Sequence, residues 1–187
     1  MNKITAWMLY VATSSVIFLF SFIQQQDATP KPIPLEPCSI RVLFSPRGGI
    51  TDQIVSEIDC ATSEIYVQAY SFTSRSIADA LIKAKARGLR IEVCADDSNK
   101  NPDTSVCDEL SDARIEVWLD AKHAIAHSKV IVIDGALVIC GSFNWTQAAE
   151  RSNSENCLFI QSKTIALQYR NNFIDHRAHS TRLERSL

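Results

Sequence analysis

A chain of 187 residues is long enough for one domain with a real core and too short for two catalytic domains of ordinary size. An apolar fraction of 46% beside 21% charged residues is globular, and a net charge of -2 excludes a global basic field for holding nucleic acid. Any polyanionic partner must be gripped locally.

The N-terminus stands apart from the rest. Residues 4–23, "ITAWMLYVATSSVIFLFSFI", carry no charge and reach the length of a membrane span or a long signal peptide. A polar, proline-rich stretch, "QQQDATPKPIPLEPC", follows. We expect residues 1–26 to be a signal peptide or an N-terminal membrane anchor, 27–38 a Pro-rich linker, and 39–187 the folded domain. Either fate of the leader exports the domain from a bacterial cytoplasm: it is periplasmic or secreted, or anchored to the inner membrane facing the periplasm. Cys38, Cys60, Cys94, Cys107, Cys140 and Cys157 form an even set without a C-x-x-C pair, which argues against a zinc ribbon. Disulfides and buried free thiols both fit, and Cys94 and Cys107 flank one loop closely enough to be joined.

From Cys38 onward, strands and helices alternate. "SIRVLF" predicts a strand, "PRGG" a plain turn, and Thr51 a helix cap. "EIYVQAYSF" is a second strand; the next helix starts at Thr73 or Ser74, shows Ile77, Leu81 and Ala84 at helical spacing, and ends at Gly88. "LRIEVCADD" and "RIEVWLD" are further strands on either side of a polar loop. "SKVIVIDGALVICGS" reads as a hairpin turning at Asp134-Gly135. "NCLFIQS" is one more strand, and "TIALQYRNNFIDHR" a closing helix with Ile165, Tyr169 and Phe173 inward. The β-α-β-α-β opening predicts an α/β fold, a mixed but mostly parallel sheet of about seven strands flanked by helices.

The chemistry gathers around "AHSKVIVIDG". Strand alternation places His127 and Lys129 on one face and Asp134 on the other. An imidazole beside an ammonium suits a phosphoryl group: the nitrogen attacks phosphorus, and the cation neutralises its oxygens. Downstream, "GSFN" adds Ser142 and Asn144 as polar groups two residues apart, with Gly141 permitting a tight backbone. His123 reads as a surface residue, and Trp145 as packing beneath the site.

"HSKVIVIDGALVICGSFNWT" resembles the HKD signature of the phospholipase D superfamily, and the following "AAERSNSEN" resembles its small single-motif bacterial endonucleases. The likeness extends from about Ile40 to the closing helix. It implies a phospholipase D-like fold for residues 39–187 and a metal-independent phosphodiesterase without cofactor. The resemblance implies that His127 forms a covalent phosphohistidine, that Lys129 and Asn144 bind phosphoryl oxygens, and that Ser142 and Glu155 support them. Asp134 completes the motif, although its strand parity points to an orienting part.

One motif supplies one histidine, whereas the reaction needs a second as acid and base. The resemblance therefore implies a homodimer that completes the active site across a two-fold axis. A nonspecific endonuclease on DNA or RNA is the first expectation, helped by five Lys or Arg against two acids in residues 163–187. A phospholipase D acting on lipid headgroups is the alternative, and a noncatalytic membrane-anchored binding module the second.

Overall fold

The computed structural model describes residues 37–184, so the predicted leader, and the linker up to residue 36, lie outside the described residues. The chain runs β1 (Ser39–Phe44), α1 (Ile50–Cys60), β2 (Glu64–Ala69), α2 (Arg75–Ala86), β3 (Arg90–Asp96), a short 3-10 turn, α3 (Cys107–Asp112) and β4 (Glu116–Asp120). It continues through β5 (Lys129–Ile133), β6 (Leu137–Gly141), α4 (Gln147–Arg151), β7 (Asn156–Gln161), α5 (Lys163–His179) and β8 (Thr181–Arg182).

The strands form one sheet in the order β1-β7-β6-β5-β2-β3-β4-β8. The predicted β-α-β-α-β unit is present: β2, β3 and β4 lie parallel, with Val67 beside Val93 and Val93 beside Val117. Every other pairing is antiparallel, which corrects the expectation of a mostly parallel sheet. The β5–β6 hairpin docks against β2, with Ile131 opposite Val67, and β7 and β1 extend it by antiparallel addition. Asp134 and Gly135, with φ of 51° and 59°, form its turn, closed by Ala136 N–H donating to Ile133 C=O at 3.0 Å. Two left-handed central residues match the twist of a tight hairpin.

Alternation sends the central strands' side chains to two cores. Ile65, Val67, Ile91, Val93, Ile131 and Ile133 meet Ile54 and Ile58 of α1, Ile77 and Leu81 of α2, and Leu110 of α3. Tyr66, Cys94, Val130, Val132 and Val138 meet Ala166 and Phe173 of α5, with Ile165 and Tyr169 packed beside them. Cys94 and Cys107 thus sit in cores on opposite sides of the sheet and cannot be joined; all six cysteines are unpaired. The first residue of α1 is Ile50, not a residue after Thr51. Its open amides at Gly49 and Thr51 donate to the Glu150 carboxylate at 3.0 and 2.8 Å, a cap supplied from α4. Gly88 closes α2 in the left-handed region, φ 95°, as expected.

Candidate active site

Because β5 and β7 run opposite to β2, β6 and β1, the ends of five strands meet at one edge of the sheet. This edge receives Lys129 from the start of β5, His127 from the loop just ahead of it, Ser142 and Asn144 from the segment after β6, and Glu155 from the approach to β7. Asp134 is at the other edge, five strand steps and ~16 Å from Lys129. Its carboxylate accepts from Thr62 N, Ser63 N and Glu64 N and from the hydroxyls of Thr62 and Ser63, at 2.7–3.1 Å. It clamps the α1–β2 connection, so the structure separates it from His127 and Lys129, with which it shares the motif.

Lys129 is 7% exposed, and burial pulls its ammonium below its ordinary pKa, with Glu155 opposing. Its Nζ donates to the His127 carbonyl at 2.8 Å and lies 4.9 Å from the centre of the Tyr70 ring. That ring also packs 4.5 Å from the His127 imidazole, so Tyr70 touches both. Ahead of His127, Ala126 N–H donates to Asp96 Oδ2 at 2.8 Å, which ties the approach loop to the end of β3. Motif spacing reveals neither Tyr70 nor Asp96. Both follow from strand order, Tyr70 because it succeeds Ala69, the register partner of Lys129.

The Ser142 hydroxyl donates to Glu155 Oε2 at 2.5 Å and accepts from Asn156 N–H at 3.1 Å. Asn153 Nδ2 holds the other Glu155 oxygen at 3.0 Å. Gly141 makes this approach feasible, since a Cβ there would sit 2.3 Å from the Asn156 carbonyl oxygen. The residue just ahead of the "PRGG" turn supports the same segment: Ser45 exchanges backbone and hydroxyl hydrogen bonds with Glu155 and Asn153. Asn144 Oδ1 is buried without a hydrogen-bond partner, which leaves this amide uncommitted at the site.

Trp145 is fully buried and donates from Nε1 to the Gln68 carbonyl at 3.0 Å, packing beneath the site as expected. His123, expected on the surface, has its Nδ1 2.9 Å from Asp120 Oδ2. Three of the C-terminal cations are committed elsewhere: Arg177 pairs with Glu92 at 2.6 Å, Arg182 with Glu116 at 3.4 Å, and Arg170 with Glu64 at 3.6 Å. At the His127 edge, however, Arg47, Lys122 and Arg151 are exposed and have no ion pair among the described residues.

A family model described as "Cardiolipin synthase, PLD-like domain" matches residues 54–177. The chain is 40% identical over 144 residues to a protein of Rickettsia conorii named phospholipase D, covering 77% of this chain and 72% of that protein. Its fold is similar to that of Nuc, a phospholipase D family member from Salmonella typhimurium, with a TM-score of 0.76, 33% identity, 80% of this chain covered and all of that one. NucT from Helicobacter pylori shares the fold at a TM-score of 0.73 and 24% identity, over 79% of this chain and all of that one.

Proposed function

Because this chain belongs to the phospholipase D superfamily through its PLD-like domain, we propose that it hydrolyses phosphodiesters through a phosphohistidine on His127, with nucleic acid as the preferred substrate. The carrying observation is the convergence of His127, Lys129, Ser142, Asn144 and Glu155 at one edge of the sheet, with Lys129 buried and Asn144 uncommitted.

In the first step an imidazole nitrogen of His127 attacks phosphorus, an N–P bond forms, and the bond to the leaving oxygen breaks. Lys129 and the Asn144 amide supply positive field at the non-bridging oxygens, a part that a divalent ion plays in other phosphoryl-transfer sites. The leaving oxygen takes a proton from a second imidazole. That group then removes a proton from water, whose oxygen attacks phosphorus and releases His127. His127 cannot be nucleophile and proton donor at once, so a second copy of the chain brings its own His127 to the same phosphate. Ile40, Val42 and Phe44, at 61%, 45% and 63% exposure, line one side of edge strand β1 and support an association of copies.

The unpaired Arg47 and Lys122, on loops, and Arg151, at the end of α4, support a polyanion at the His127 edge. The phospholipid reading has its own support in Ile125, which is 56% exposed two residues before His127, and in the name of the rickettsial relative. The test is to incubate the purified protein, in brief EDTA, with plasmid DNA and separately with phosphatidylcholine vesicles, beside His127→Ala. DNA cleavage that disappears in the variant supports the nuclease. Headgroup release alone moves the protein to phospholipids, and inactivity on both by a folded dimer leaves the binding module.

A further inference from the structure

The chain has four histidines; His127 is in the candidate active site, and the other three meet at a single carboxylate. Asp120 closes β4 with its side chain fully buried. Its Oδ1 accepts from the backbone amides of Lys122 and His123 at 3.0 and 3.4 Å, which turns the chain into the loop 121–128. Its Oδ2 faces His176 Nδ1 at 2.8 Å, His123 Nδ1 at 2.9 Å and His179 Nε2 at 3.3 Å. His176 and His179 are three apart on the last turn of α5 and project from the same side of the helix.

A carboxylate oxygen has two lone pairs, whereas three ring nitrogens are aimed at this one. Hydrogen bonding alone leaves the third in excess. A cation at the centre removes the conflict, because all four atoms then bind it rather than one another. The dimensions agree: the four candidate ligand atoms lie within 4.8 Å of one another. For a tetrahedral zinc with bonds of ~2.0–2.1 Å, ligand atoms are separated by ~3.3 Å and bound imidazole centres by ~5 Å. The three ring centres here are 4.9, 5.2 and 5.4 Å apart.

We propose that Asp120, His123, His176 and His179 form a structural site for a divalent transition metal, with zinc the best match in ligand type and geometry. Four protein ligands fill a tetrahedron and leave no open position for substrate, so the ion serves as a staple rather than as a reactant. It joins the approach loop, through His123, to the end of α5. Together with the Asp96 bond to Ala126, it fixes the loop on both sides of Ile125 and sets the entry of the chain into His127. The phosphodiester chemistry proposed above uses none of these four residues, so the two proposals stand or fall separately.

The test is metal analysis and thermal unfolding of the full chain. About one zinc per chain should survive gel filtration; removal with dipicolinate should lower the melting temperature by roughly 5–10 °C, and one equivalent of zinc should restore it. Cobalt substitution should give the intense visible bands of a tetrahedral ion. His123→Ala, on an exposed loop where folding is little at risk, should weaken zinc binding by at least ~100-fold and quench the cobalt bands. His127→Ala should keep the metal while losing turnover. Absence of bound metal, combined with no change in melting temperature or cobalt spectrum on adding either ion, would overturn the site. So would undiminished zinc affinity in His123→Ala.

Discussion

Replacing Asp134 by Asn separates architecture from catalysis within the motif. The carboxylate accepts three backbone N–H groups and two hydroxyls. Burial by itself raises its pKa, but the bonds from Ser63, Thr62 and Glu64 outweigh that and bring it from 3.8 down to about 2. At ~1.4 kcal/mol for each pH unit, this shift caps the charge contribution near ~2.5 kcal/mol, and partial exposure discounts it to about 1–1.5 kcal/mol. A lowered folded-state pKa stabilises fully above the unfolded value, so the contribution is complete at pH 7 and fades as pH falls from 3.8 through about 2. Urea unfolding of both proteins should show a deficit of about 1–2 kcal/mol at neutral pH that narrows at ~pH 3. Turnover by the folded variant should stay within a few-fold of the parent. A deficit that ignores pH refutes the electrostatic account, and a loss of turnover comparable to that of His127→Ala refutes the structural one.

Three other outcomes are expected. Lys129→Met should lower kcat by about 100-fold or more with the melting temperature nearly unchanged, because it removes phosphoryl-oxygen stabilisation while retaining an unbranched side chain. Gly141→Ala should destabilise by more than ~2 kcal/mol in urea titration and impair turnover, since its Cβ would meet the Asn156 carbonyl at 2.3 Å and displace the Ser142–Glu155 pair. Native-state titration with a disulfide reagent at pH 8 should modify Cys38 and Cys60 quickly; buried Cys107 and Cys157, whose pKa values are pushed up to about 11 and 12, should react only on unfolding.

The distance of Asp134 from Lys129 is legible in sequence because the Asp134-Gly135 turn fixes where β5 ends. Strand parity, which predicts opposite faces, does not give this separation along the strand, and His127 precedes β5. The β2-to-β4 unit is also legible, each helix face being written in local spacing. Sheet order is not: the pairing of β1 with β7 joins Ser39 to Gln161, and no local pattern distinguishes it from a place beside β2. The same distance in sequence hides two of the partners of Asp120, which come from residues 176 and 179, and the cap of α1, which comes from Glu150. Cys94 and Cys107 mislead for a related reason, since closeness along the chain says nothing about which side of a sheet each side chain enters.

The direction of β1 bears on how the protein can be handled. Phe44 ends that strand at the His127 edge, opposite Asn156, so Ser39 starts it at the far edge, ~17 Å away. An affinity handle or a bead linkage placed just ahead of Ser39 therefore joins the domain behind its working end. Immobilised that way, the enzyme should present His127 to long polymers as readily as the free protein does, whereas a linkage through Cys60 is set in the α1–β2 corner that Asp134 holds together.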